Sequence, residues 1–264
     1  MATIRMFSFI TARSLAAMML VSLIGLSCDD GSDATGPPDE KCPSVPNPLV
    51  SYPFDGDAND ASGNANHGTV MGATLASDRF GNPARAYAFD GIDDAISIGP
   101  RGQAPFPFTV SLWFNADELR FAQIFSNDDT NDAANRWGIG ILLGPTGSVG
   151  SNTYEGFSAP WNRVSYNTAA VNLYEPGEWH HVTIVFNGNR DTVIYFDADV
   201  LPGVYSGTGS GMVYAGGNGL IGRMHGNSVP KLQFRGRLDD IQVFGQALTA
   251  ADVKALFELP HGCI

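Results

Sequence analysis

The sequence predicts an all-β protein, two antiparallel sheets stacked as a sandwich with one short C-terminal helix, and three observations predict it. From residue 49 onward, short alternating runs are separated by clusters of Gly, Asn, Asp and Pro, the rhythm of sandwich strands and their turns. Charged residues are only 16% of the chain, while Gly numbers 31 and Pro 16, which favours turns over long helices. Apolar residues make up 44% of 264 residues, enough to fill the core of one large sandwich.

In chain order, the candidate strands cover residues 49–54, 85–89, 95–98, 108–114, 122–126, 137–143, 179–186, 192–196, 219–222 and 238–244. Between 181 and 196 the pattern is a hairpin, because Asn187, Gly188 and Asn189 tolerate positive φ between two runs rich in Val, Ile and Phe. One helix is expected after Thr249, a residue able to cap it, with Val253, Leu256 and Phe257 spaced to form one apolar face.

The amino terminus reads as an address. Arg5 and Arg13 precede an uncharged apolar run over residues 14–26. As a helix that run rises only about 20 Å, short of the roughly 30 Å hydrocarbon core, so export is expected rather than a permanent span. The run ends in Gly25-Leu26-Ser27-Cys28, which resembles a bacterial lipoprotein signal and implies a signal peptide over 1–27 and acylation of Cys28. Gly25 departs from that pattern, where a larger aliphatic residue is usual, and ordinary cleavage with secretion is the alternative. Residues 28–48 are acidic and rich in Pro, Gly and Ser, too polar to pack, and are expected to tether a domain spanning 49–264. The expected location is the outer membrane or cell surface, reached by export and held by the lipid. Cys42 and Cys263 remain at opposite ends of that domain. In an oxidising compartment they are expected to pair, two free thiols being the alternative.

With Lys and Arg at 15 against 27 Asp and Glu, the net charge is -12. That field repels phosphate backbones on average, so no nucleic acid partner is expected.

Several segments together resemble the laminin-G-like jelly-roll family of concanavalin A-like lectins and glucanases. They are the opening 49–56 with Asp60-Ala61-Ser62-Gly63-Asn64 and His67-Gly68-Thr69-Val70, then Ala88-Phe89-Asp90-Gly91, Phe108–114 with Trp113, Glu178-Trp179-His180-His181, and the ending 236–244 with its helix. The resemblance implies a jelly roll, frequent calcium, and recognition of carbohydrate or protein. It also implies a structural calcium held by the turn Asp55, Asp57, Asn59 and Asp60 together with the late Asp239. On its strand Asp239 alternates with Ile241 and Val243 and so faces the core, where a carboxylate needs a cation or backbone partner. Hydrogen bonding to backbone alone is the alternative for these residues. The sixth and twelfth positions of an EF-hand loop would be Asp60 and Asn66, which excludes that motif.

Sugars stack on aromatic rings and bond to amides and charged groups. The stretch from Asn135 to Tyr166 holds Trp137, Tyr154, Phe157, Trp161 and Tyr166 beside Arg136, Asn162 and Arg163. Asn135, Arg136, Trp137, Tyr154, Trp161 and Tyr166 are therefore the candidate ligand-binding residues, with ordinary packing open for Tyr154 and Trp161. Trp113 and Trp179 are expected to pack as framework. His180 and His181 are neighbours on a strand and leave opposite faces, so they cannot share a metal. No Glu-x-Asp-x-x-Glu pair, nucleophile elbow, zinc spacing or phosphate loop occurs. The expected function is a calcium-assisted, monomeric surface module that binds an extracellular glycan or surface protein and is not an enzyme. A glycan-cleaving hydrolase or lyase and a protein-binding envelope scaffold are the alternatives.

Overall fold

The computed structural model describes residues 42–129, 136–156, 163–224, 232–260 and 263. The export segment, Cys28 and most of the tether lie outside the described residues, as do Asn135 and Trp161. The strands are β1 (Val50–Tyr52), β2 (Thr69–Met71), β3 (Thr74–Ala76), β4 (Ala86–Asp90), β5 (Ala95–Ile98), β6 (Phe108–Ala116), β7 (Ala122–Asp129) and β8 (Trp137–Leu143). They continue as β9 (Val149–Glu155), β10 (Arg163–Thr168), β11 (His180–Gly188), β12 (Asp191–Phe196), β13 (Asp199–Leu201), β14 (Gly203–Ser206), β15 (Asn218–Ile221) and β16 (Arg235–Phe244), followed by helix α1 (Ala250–Phe257). One sheet runs β13-β12-β11-β6-β16-β4-β3, with β1 also paired to β16. The other runs β14-β10-β9-β8-β7-β15-β5-β2.

Side-chain alternation builds the core between these sheets. On β6, Phe108, Val110, Leu112 and Phe114 point inward, and on β11 so do Val182, Ile184 and Phe186. The second sheet answers with Ile96, Ile98, Phe125, Ile139, Ile141, Leu143 and Ile221. Phe108 and Phe186 stack at 4.7 Å across the β6–β11 ladder.

The other face of the first sheet is covered as well. Thr249 caps α1, accepting from the Asp252 amide while the Asp252 carboxylate accepts from Thr249 N–H, so two orphan groups are satisfied. Val253 and Leu256 then pack with Val185, Phe244 and Leu248, each fully buried side chain contributing about 1.5–3 kcal/mol. Phe257 stacks on Trp113 at 5.5 Å, which gives Trp113 its framework role. Cys42 and Cys263 form a disulfide.

Alternation also sends His180 and His181 to opposite faces. The His180 ring packs on Phe196 at 4.9 Å, whereas His181 sits 5.1 Å from the Trp113 ring with Nε2 2.7 Å from Ser111 Oγ. Burial, reinforced by the positive Arg79, pushes the His181 pKa down to about 3. The unfolded chain takes up this proton near pH 6.5 and the folded one does not, so stability falls as pH drops through that window, by about 4 kcal/mol at pH 3. Titrating urea stability of the wild type against His181→Gln should show a flatter acid limb in the variant. Parallel curves would refute this role for His181.

Six strands, β2, β3, β9, β10, β13 and β14, are absent from the sequence-based set. Of the two central ones, β9 lacks apolar alternation because Ser151 and Thr153 occupy inward positions, and β10 alternates only briefly, through Val164 and Tyr166. Asp197 and Ala198, at φ 48° and 67°, form a tight turn between β12 and β13, with Phe196 paired to Asp199.

Candidate functional site

The outer face of the second sheet holds a cavity of about 570 Å³, within the roughly 300–1,000 Å³ typical of ligand pockets. The antiparallel register places Tyr154 opposite Arg163, Asn152 opposite Ser165 and Gly150 opposite Asn167, so these side chains share one face. Leu142 on β8 and Ser206 on β14 extend that face, and Phe121, Arg136, Met224 and Leu232 border it. At Gly150 a Cβ would lie 2.1 Å from Asn167 Oδ1, so a larger residue there would displace the amide.

A hydrogen-bonded row crosses the floor. Arg163 Nε donates to Ser165 Oγ at 2.8 Å, Ser165 Oγ donates to Asn152 Oδ1 at 2.5 Å, and Asn152 Nδ2 donates to Tyr154 Oη at 2.9 Å. Asn152, Tyr154 and Ser165 are buried, so the row is held in one arrangement by its own bonds and by the sheet. Such a surface can hydrogen-bond a polar ligand without first paying to order its groups.

Residues 90–254, more than half of the chain, match the concanavalin A-like lectin/glucanases superfamily. The chain belongs to this superfamily. No curated protein sequence matches. Among solved structures, the chain is similar to domain 4 of AbnA, an extracellular arabinanase from Geobacillus stearothermophilus, in complex with arabinotriose. The TM-score is 0.58 at 18% identity, covering 81% of this chain and all of that domain. It is similar to the binding domain of Paraclostridial Mosquitocidal Protein 1, with a TM-score of 0.60 at 19% identity over 80% of this chain and 52% of the other. The binding domain of Botulinum neurotoxin DC in complex with SialylT gives 0.57 at 15% identity, over 80% and 51%. The chain thus spans the whole arabinanase domain but only about half of each toxin domain.

Two of the sequence-predicted ligand residues, Arg136 and Tyr154, line the pocket of this concanavalin A-like chain. Two do not. Tyr166 has the opposite parity on β10 and packs against the core and against Tyr205 at 4.4 Å. Trp137 is folded over Gly156, where a Cβ would meet its ring at 2.0 Å. Sequence reading missed Asn152, Ser165, Asn167 and Ser206, although for the first three the i, i+2 spacing within 150–154 and 163–167 is the signal of one polar strand face.

The five oxygen donors named for calcium do not converge. Asp55 pairs with Arg85 at 2.7 Å, and Asp57 accepts from Asn59. Asp60 accepts from the amides of Ser51, Ser62 and Asn66 and from the Ser62 hydroxyl. Burial alone would raise the Asp60 carboxyl, but those donors hold it below its ordinary value. His67 belongs to the same turn, its Nδ1 accepting from Asp60 N–H at 3.1 Å. Asp239 accepts from Asp240 N–H and lies 3.6 Å from Arg79. A bulge between Asp239 and Gln242 breaks the alternation that sequence reading assumed. As placed, these residues do not fit a single calcium cage. Among the described residues, one carboxylate group does converge, Asp90, Asp93 and Asp94. Its oxygens accept from the amides of their own turn.

Proposed function

We propose that this protein is an exported glycan-binding module, with its ligand held in the pocket on the outer face of the second sheet, and that it is not an enzyme. The observation that carries the reading is the fixed row Arg163–Ser165–Asn152–Tyr154, flanked by apolar Phe121, Leu142, Met224 and Leu232. Sugar hydroxyls need fixed donors and acceptors, and sugar C–H faces need apolar surface. The arabinotriose complex of the arabinanase domain supports a sugar as the ligand class. Glycosidases of either stereochemistry generally use two carboxyl groups, and neither Asp nor Glu is among the described lining residues. In this reading a lipid on Cys28 holds a monomeric module at the bacterial envelope, which intact-mass measurement of the membrane fraction tests directly.

The main test is a glycan array probed with the full chain, once with calcium and once with chelator. Calcium belongs to the resemblance, and equal binding in both conditions removes it from the reading. Asn152→Ala should weaken the best hit about thirtyfold, since it removes two links of the row, each worth roughly 1 kcal/mol. An array without hits defeats the glycan reading, and pull-down from envelope extract then addresses a protein-binding scaffold. Release of reducing ends from a bound polysaccharide would favour a hydrolase or lyase.

A further inference from the structure

The charge of the pocket runs against that of the chain. Lys and Arg number 15 against 27 Asp and Glu overall, yet the charged side chains among the described lining residues are Arg136 and Arg163. The two arginines meet there through the fold. Arg163 opens β10 opposite Tyr154, and the Arg136 carbonyl accepts from Gly156 N–H at 2.9 Å, just beyond the end of β9. Glu155, the nearest acid on that strand, is turned to Ser210, accepting from its amide at 3.0 Å and its hydroxyl at 2.7 Å.

Distance decides which charges a ligand feels. Exposed charges beyond about 8 Å are largely screened at physiological salt, so a group in the pocket responds first to the charges that line it, which among the described lining residues are Arg136 and Arg163. Arg163 Nε is committed to Ser165, which fixes the plane of its guanidinium, and a planar fork matches a carboxylate or sulfate edge. The neutral lining of Asn152, Asn167, Ser165 and Ser206 adds donors and no repulsion. A neutral sugar can use guanidinium N–H donors as well, but only an anionic group also gains from the charge of both arginines.

We propose that the unit held in this pocket is an acidic sugar, a carboxylate- or sulfate-bearing monosaccharide within a glycan. The proposal rests on the glycan-binding reading and names its ligand class. The test is calorimetric titration of the full chain with trigalacturonate, a sulfated trisaccharide, neutral arabinotriose and a short oligothymidylate, at low and high salt. The carboxylated or the sulfated probe should bind at least about tenfold more tightly than arabinotriose at low salt, and salt should narrow the gap. Whichever of the two binds more tightly identifies the anion. Arg163→Gln and Arg136→Gln should each weaken the acidic probe about ten- to a hundredfold. Arg163→Lys, which keeps the charge and loses the fork, should fall between wild type and Arg163→Gln. Equal affinity for arabinotriose, unchanged affinity in both Gln variants, or equally tight oligothymidylate binding overturns the acidic-sugar assignment and leaves glycan binding to the array. Absence of binding to every probe and to the array overturns both.

Discussion

Replacing Arg79 by Met is expected to cost about 3–5 kcal/mol, because it leaves two buried carboxylates without their counter-charge. The bulge on β16 creates the situation: Asp240 adopts φ 47°, and Asp239 and Asp240 both reach Arg79. Their side chains are 3% and 10% exposed, and that of Arg79 8%. Arg79 also lies 4.5 Å from the ring centroids of both Trp113 and Phe80, which links the ion pair to the layer under α1. Burial first, and mutual repulsion second, hold the Asp239 carboxyl above its ordinary value, while Arg79 pulls it down; burial likewise raises Asp240. A carboxyl raised in the folded state favours folding at low pH, and that contribution fades as pH climbs past about 4. The Met variant should therefore be worst near pH 8 and recover on acidification. At about 2–4 °C per kcal/mol for a domain of this size, the midpoint should drop by about 10 °C. Urea and thermal melts at pH 8 and pH 5 check both points, and Arg79→Met combined with Asp240→Asn should regain part of the loss. A loss below about 1 kcal/mol at pH 8, or one that grows in acid, would exclude this role for Arg79. Since Arg79 already supplies positive charge to Asp239, adding calcium or chelator should leave the wild-type midpoint in place.

How much of this was legible in the sequence depends on which layer a residue joins. The core strands β6, β8, β11 and β12 announce themselves because alternate positions are Val, Ile, Leu or Phe, and α1 does so through Thr249 and the Val253–Leu256–Phe257 spacing. The site strands β9 and β10 do not. On β9 the inward residues include Ser151, paired across the ladder with Tyr166, and on β10 only Val164 and Tyr166 alternate with polar residues, so the hydrophobic period that marks a strand is broken on one and short on the other. Aromatic content pointed to a stretch that lines the pocket, but of its described rings Tyr154 is in that lining and Trp137 and Tyr166 are not. Tyr154 and Tyr166 differ only in strand parity, which cannot be assigned before the strand itself is found. Asp239 illustrates a second limit, since alternation correctly implied a buried carboxylate needing a partner, but a single bulge re-aimed the chain. The partner, Arg79, lies far away in sequence.

Breaking the Cys42–Cys263 bridge is the second change expected to have a large effect. The bridge closes a loop with a sequence separation of 221 residues, and loop-closure entropy for that length sets an upper bound of roughly 5 kcal/mol, with about 2–4 kcal/mol typical of real bridges. Its local consequence follows from where the ends lie. Residues 42–48 form no strand, and the segment is held by Val45 and Cys263 packing against the small cluster of Leu248, Val253, Leu256 and Leu259. A paired Cys42→Ser/Cys263→Ser variant should therefore lose global stability in urea. It should also show faster amide exchange in α1 than in β6 or β11, whose amides are locked in the centre of the first sheet. Thiol counting under denaturing conditions without reductant should find neither Cys42 nor Cys263 reactive, and both after reduction. Should the paired variant keep its midpoint while α1 exchanges as before, the apolar cluster alone would be holding the two ends together, and the bridge would be energetically silent.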